Sequence, residues 1–366
     1  MGEVIATSAA IPVRILLATL ITLSMMLFNS ADSHAQSDEL EIREGTGIPA
    51  EVRNMYRRGA DYLAKTQNDD GSWGRGGGGH GDESAGVTAL ATMAFLSTGE
   101  DPNFGKYARN VRAALRFIIR KQNRSTGYVP GNMYVHGFAM LALSEAYGAV
   151  DDEMLWEGER KKSRTIGEAL ELAVKLAVSS QKKNPSKGWR YTPNDNSADT
   201  SVVGAVLMGL LAARNAGVDV PDSTIDDALK YMKQMTSAET GNVGYSGMGG
   251  LGGSGARSAI ACLVFAIGKR KHWKDFAGTT KFLTDSLETS AQQNWPYYER
   301  YYKAQALFQA DYKSWQQWNR NTVRLLRNMQ DDNGCIGNSA HGKAYSTSMS
   351  LLALALNYRF LPIYER

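Results

Sequence analysis

The chain has 366 residues, 43% of them apolar, and a formal net charge of +4. It is long enough to bury a large core, and its two cysteines are too few for a disulfide framework. The 41 basic residues are offset by 37 acidic ones and form no stripe interleaved with aromatics, so nucleic acid is excluded as the expected partner.

At the N-terminus, Arg14 precedes the apolar run "ILLATLITLSMMLF" (15–28), and Ser33 and Ala35 in "SADSHA" frame a cleavage point. These features predict a signal peptide over 1–35, a mature chain exported to the periplasm or outside, a linker over 36–49 and one domain over 50–366. A retained anchor is the alternative, but the run falls short of the ~20 residues that span a bilayer. No later stretch is long and apolar enough to cross.

The segment "RRGADYLAKTQNDDGSWG" (57–74) reads as an amphipathic helix ending at Gln67, then a glycine turn that closes on Trp73. The arrangement recurs as Gln122 with Gly127-Tyr128, Gln181 with Gly188-Trp189, Gln234 with Gly244-Tyr245, and Gln330 with Gly334 and Ile336. The first four glutamines lie 55, 59 and 53 residues apart. The double gap before Gln330 holds a degenerate copy at "KFLTDSLETSAQQNWPYY", with Gln292 and Trp295. Such a period marks a repeat architecture.

Each repeat continues into a second helix of apolar and small residues, such as "AGVTALATMAFLS" or "STSMSLLALALNY". A helix with no polar side belongs to an inner layer, whereas "TIDDALKYMKQM" keeps a charged side and belongs outside. Six such pairs predict an all-α (α/α)6 toroid of inner and outer helix rings, with an open solenoid as the alternative. At each junction the glutamine is expected to satisfy carbonyls at one helix end and N–H groups at the next helix start, while the aromatic seals the seam.

Arg58-Gly59, Tyr62-Leu63, Gln67, Gly71 and Trp73 fit the QW motif of the squalene-hopene and oxidosqualene cyclases. Over roughly residues 50–360 the chain resembles the terpenoid-cyclase and protein-prenyltransferase repeat superfamily. That resemblance implies a substrate cavity where the loops feed the inner helices. The matching positions are His80, Asp82, Tyr134, His136, Asp195, Asp199, Arg257, Tyr298, Glu299, Tyr302, His341 and Tyr345. Asp199 and His136 are the catalytic candidates, and the others except Asp195 are candidate substrate contacts. Class II cyclases protonate an alkene with the middle Asp of Asp-x-Asp-Asp-Thr-Ala, and the match here, "NSADTS" (196–201), has Ala198 at the proton-donating place. The superfamily's zinc enzymes use an Asp-x-Cys pair, which neither Cys262 nor Cys335 completes. No metal or other cofactor is expected, and Cys335 with His341 is the one loose zinc pairing.

Each candidate also has a plain structural reading. Asp199 precedes "TSVVGAVLMGLL" and suits the cap of that helix. His136 suits a repeat-to-repeat hydrogen bond, and Arg257 an ion pair with a carboxylate such as Glu299. His80 and His341 stand ten residues before Leu90 and Leu351, a repeated placement that favours architecture. The run "YYERYY" (297–302) suits either a polyprenoid chain or ordinary packing. The run "GYSGMGGLGGSG" (244–255) lacks the Gly-Lys-Ser/Thr ending of a phosphate loop and is expected to form a flap over the ring mouth.

Three functions compete. The first is a hydrophobic, polyprenoid-type ligand bound in a central cavity and isomerised or cyclised there. The second is a non-catalytic toroid whose loop face binds a protein or glycan partner. The third is a carbohydrate-active enzyme with Asp82 and Asp199 as its carboxylates. A deep apolar cavity, a filled ring with an exposed aromatic loop face, and an open polar groove respectively distinguish them.

Overall fold

The computed structural model of the chain describes residues 47–74, 84–159, 163–246, 254–288 and 295–358. The signal segment, His80, Asp82, Gln292 and the glycines from 247 to 253 lie outside them. Contacts divide the chain into Met1–Gly47 and Ile48–Arg366, and all the described helices belong to the second unit.

Those helices come in six pairs, the first of each outer and the second inner. They are α1 (Ala50–Thr66) and α2 (Ser84–Leu96), then α3 (Ala108–Lys121) and α4 (Met133–Ala146). A single-turn α5 (Asp152–Leu155) leads to α6 (Ile166–Lys183) and α7 (Thr200–Asn215). Next come α8 (Asp222–Gln234) and α9 (Gly255–Ile267), α10 (Lys274–Thr284) and α11 (Pro296–Ala310), and finally α12 (Tyr312–Met329) and α13 (Lys343–Ala355). Among the described residues the only β pairing is two isolated bridges.

The inner helices pack in the order α2, α4, α7, α9, α11, α13, and α13 returns to α2. The ring is therefore closed, as an (α/α)6 toroid. Helix α2 is buried along almost its whole length, whereas α3 and α12 bury one stripe and keep basic residues outside. Burying a Leu or Ile yields about 1.5–3 kcal/mol each, so the inner layer supplies most of the cohesion.

The seams between repeats follow one rule. Gln67 Nε2 donates to Gly71 O (2.9 Å) and to Asn110 O of the next outer helix (3.0 Å). Gln122 donates to Gly127 O and Ala169 O, and Gln181 to Lys187 O and Thr224 O. Gln330 reaches Gly334 O and Met55 O, which ties the sixth repeat to the first. Both carbonyls of each pair are served by one amide. The expected partnership with backbone N–H groups is replaced by side-chain donors, Asn110 to Gln67 Oε1 and Arg164 to Gln122 Oε1, both at 2.7 Å.

In four of the turns a glycine, Gly71, Gly127, Gly241 or Gly334, lies against the neighbouring outer helix at a φ of +71° to +96°, and in the third repeat Lys187 (φ +55°), not Gly188, holds that place. A Cβ on Gly127 would stand 2.1 Å from Leu172 O, which no L-residue tolerates without moving that helix. Two residues on, a buried side chain plugs the seam: Trp73, Val129, Trp189, Val243 or Ile336. The two tryptophans also donate from Nε1 to Leu63 O and Ala177 O (both 2.9 Å).

This register corrects three readings of the repeat. In the fourth repeat Gln234 is exposed, and the junction position belongs to Thr236, which bridges to Val243 as Gln330 does to Ile336. The turn glycine there is Gly241, so Gly244-Tyr245 lies beyond the seam. In the second repeat Val129, not Tyr128, is the plug. Trp295 seals no seam either: it is the N-cap residue of α11 and is 54% exposed.

Candidate functional site

Every seam loop feeds the N-terminus of an inner helix, so all six inner N-termini meet at one end of the ring. Two of the candidates are committed to seams there. The plug residue's N–H needs an acceptor, and Thr88 Oγ1 serves Trp73 (3.2 Å) while Thr347 Oγ1 serves Ile336 (3.0 Å). In the second repeat the acceptor is His136 Nδ1, 3.2 Å from Val129 N, and its Nε2 donates to Ala173 O at 3.1 Å. Both ring nitrogens are engaged, and burial pushes the pKa down to about 4. His136 is thus a neutral bridge between repeats, and neither nitrogen is free for chemistry. Arg257 Nε donates to Val243 O (2.8 Å), which pins the fourth seam.

Asp199 behaves differently. It is the N-cap of α7, and its Oδ1 accepts from Ser201 N (2.9 Å) and Val202 N (3.0 Å). The residue is 0% exposed, yet its Oδ2 has no hydrogen-bond partner. Burial raises the carboxyl pKa, opposed by the two capping N–H groups, Tyr245 and Arg190. The cap and the site readings therefore apply to different oxygens of one carboxyl.

Near that free oxygen the centre of the ring fills with aromatics. Tyr134 of α4 and Tyr298 of α11 come from opposite sides of the ring, and their ring centroids are 5.7 Å apart. One turn deeper, Phe138 meets Tyr301 at 6.1 Å, and Tyr302 packs against both Tyr298 and Tyr301 at 4.8 Å. Glycines let the inner helices close this far: a Cβ on Gly137 would stand 2.7 Å from the Ala205 backbone, and one on Gly204 2.2 Å from Ile260. A lumen for a long apolar chain does not pass this level.

The hydroxyls of Tyr134, Tyr298 and Tyr302 are buried at their tips and meet no partner in hydrogen-bond geometry. They lie within hydrogen-bonding reach of one another, and Tyr298 also of Ser201, while the Asp199 carboxyl acts on Tyr298 through its charge. All three phenols are pushed above their ordinary pKa, first by burial, and so stay neutral. A buried polar group left without a partner costs about 1–3 kcal/mol. The three hydroxyls, turned toward one another, avoid most of that cost.

Outward from this cluster runs a row of accessible aromatics. On one side Tyr245 neighbours Asp199, and its hydroxyl contacts that of Tyr191, which is 45% exposed. Arg190 lies 5.7 Å from the Tyr191 ring centre. On the other side Tyr345 interacts with Tyr134, His341 packs on Tyr345 at 5.0 Å, and Trp295 stacks on His341 at 5.2 Å. Glu299 sits in the first turn of α11 with its carboxyl against Gly255, its pKa raised by burial and lowered by Lys303 and Arg300. Asp195 stays in its own turn, accepting from Thr192 N.

The structure thus brings Tyr134, Asp199, Tyr298, Tyr302, His341 and Tyr345 together and assigns His136 and Arg257 to seams. Sequence reasoning missed Tyr191, Tyr245 and Trp295 as site residues, because each was read as repeat signature or loop. The one available signal was that Tyr191 follows the seam tryptophan, Trp189, as a second aromatic.

Both cysteines are buried free thiols: Cys335 Sγ donates to Gly337 O, and Cys262 lies by Thr280. Among the described residues no three His, Cys, Asp or Glu side chains group as metal ligands. Nor is any described helix long and apolar enough to cross a membrane.

No curated protein matches this sequence. Solved structures share its fold. The GH76A α-1,6-mannanase of Salegentibacter sp. HEL1_6 superposes with a TM-score of 0.62 at 10% identity over 83% of this chain and 98% of that one. An inactive variant of the same enzyme in complex with α-1,6-mannotriose gives 0.61 at 10% identity, with the same coverage. A variant of the type II terpene cyclase MstE from Scytonema, in complex with geranylgeranyl dihydroxybenzoate, gives 0.59 at 12% identity over 85% of this chain and 98% of that one. At such identities the likeness is one of scaffold, on which unrelated activities are built. A family model matches residues 53–360, and the chain belongs to that family, described as Domain of unknown function (DUF6288).

Proposed function

We propose that the loop end of the toroid binds a glycan. The observation that carries this reading is the bridging of the ring by Tyr134 and Tyr298 below an open row of aromatics, Trp295, His341, Tyr345, Tyr245 and Tyr191. A polyprenoid needs a deep apolar tunnel, and the cross-ring contacts narrow the one place where it would lie. Sugars instead stack their C–H faces on aromatic rings and spend their hydroxyls on polar groups at the edges. Asp199, Glu299 and Arg190 supply such groups beside the row. That one fold neighbour holds mannotriose and another a prenylated aromatic acid makes both ligand classes compatible with the scaffold, and the filled axis favours the sugar.

The test is a glycan array probed with the full chain, wild type beside Trp295→Ala and Tyr191→Ala, together with organic extraction of the purified protein. Selective retention of one glycan class, weakened about tenfold by either substitution (about 1.4 kcal/mol), is expected. An isoprenoid in the extract with no glycan retained on the array would sink the reading.

A further inference from the structure

We propose that the glycan lies across the mouth of the ring and is held through internal units of its chain, with neither end recognised. This rests on the glycan reading and specifies which part of the glycan is bound.

The axis offers a guest no depth. Tyr134 of α4 and Tyr298 of α11 meet across the ring at 5.7 Å, and Phe138 meets Tyr301 at 6.1 Å one turn further in. Both bridging tyrosines stand in the first turn of their helices and keep part of their surface accessible, while their hydroxyl tips are buried. They make a floor, not an entrance.

The accessible aromatics stand on both sides of that floor. In the ring order, the bridge from α4 to α11 leaves α7 and α9 on one side and α13 and α2 on the other. Tyr191 and Tyr245 come from the loops that feed α7 and α9, and their hydroxyls are in contact. His341 and Tyr345 flank the start of α13, and Trp295, at the N-cap of α11, stacks on His341. The bridge adjoins both groups: Tyr345 acts on Tyr134, and Ser201 and Asp199 at the start of α7 act on Tyr298. The most exposed member on one side is Tyr191 at 45%, and on the other Trp295 at 54%.

A sugar held end-on would need the depth that the bridge removes, and would leave one aromatic group unused. A chain laid over the bridge rests its sugar faces on both groups while its ends project past the rim. Arg190, 5.7 Å from the Tyr191 ring centre, can donate to hydroxyls at that edge. Two weak contacts joined by one chain reinforce each other, so affinity accumulates with length until both groups are covered.

The experiment titrates the full-length protein on an array that presents each class of linear glycan as oligosaccharides of two to six units. Each is attached through its reducing end, and its outer end is either free or capped by a methyl group. In the class retained, affinity should rise at least about tenfold from dimer to hexamer (about 1.4 kcal/mol), and capped and free hexamers should bind alike within about twofold. Tyr191→Ala and Trp295→Ala should each weaken the hexamer about tenfold and the dimer less than about threefold, because a dimer can rest on the remaining group. Neither should shift the melting temperature much, since both side chains are about half exposed. Loss of hexamer binding on capping, or a dimer bound as tightly as the hexamer, overturns the across-mouth mode and leaves the glycan reading standing. Weakening by only one of the two substitutions overturns it too, because the chain would then stay on one side of the bridge. Failure of every glycan class to bind removes both.

Discussion

The seams and the axis of this toroid treat buried polar groups in opposite ways. At the seams every amide is used: Gln122 Nε2 serves two carbonyls and its Oε1 takes Arg164, while His136 engages both of its nitrogens. On the axis Tyr134, Tyr298, Tyr302 and Asp199 each keep a buried polar atom without a partner. Polar groups that only hold a fold together are driven to full satisfaction, since an unmade hydrogen bond at depth is a direct loss.

The contrast can be broken by substitutions on either side. The largest effect is expected from Gly127→Ala, which sets a Cβ against Leu172 O at a φ of +78°. A loss of about 4 kcal/mol or more, read by urea unfolding, would confirm the seam as rigid. A loss below about 1 kcal/mol would show that α6 can slide.

Next comes Gln122→Ala, which strands the Gly127 and Ala169 carbonyls and deprives Arg164 of an acceptor. About 3 kcal/mol should be lost, whereas Tyr302→Phe, which removes one axial hydroxyl, should cost about 1 kcal/mol or less.

The pH dependence sharpens the comparison further. His136 is neutral when folded, with a pKa near 4 against 6.5 for the free side chain. Its contribution is therefore full above pH 6.5 and is lost as pH falls toward 4, by roughly 2 kcal/mol between pH 7 and pH 5. Denaturant midpoints of wild type should fall over that range relative to His136→Gln, which lacks the slope.

Asp199 carries the opposite sign. Its folded pKa is raised, so its contribution is full below the unfolded value near 4 and is lost as pH rises through the folded one. Asp199→Asn keeps a capping side chain and should gain on wild type between pH 4 and pH 7, the smallest of these effects. No gain would mean that Oδ2 is satisfied when charged.

Much of the architecture was legible because helical repeats write themselves locally. The charged side of α8 and the unbroken apolar run of α7 placed them in the outer and inner layers without any contact known. Asp199 was legible as a cap for the same reason, since N-cap chemistry involves only the next two or three residues. The site was legible only in part. Tyr134, Asp199, Tyr298 and Tyr302 were singled out from loops and helix starts, yet their meeting point depends on which helices face each other. His136 was left between a site role and a repeat-to-repeat hydrogen bond, because nothing in the sequence marks Val129 and Ala173 as its partners. Trp295 looked like a worn seam residue, and only its 54% exposure shows it belongs to a surface.

By itself the sequence determined the repeat, the two layers and the six helix pairs, because periodicity and small-residue runs act over single helices, while closure rests on the packing of the last inner helix on the first. Tertiary structure alone decided the register of each seam, where Thr236 and Val243 stand in for the expected Gln234 and Tyr245. It also decided that the centre is bridged. Tyr134 and Tyr298 are separated by half the ring and meet because Gly137 and Gly204 let neighbouring helices approach within backbone contact. No local pattern encodes a distance set by the packing of all six helices at once.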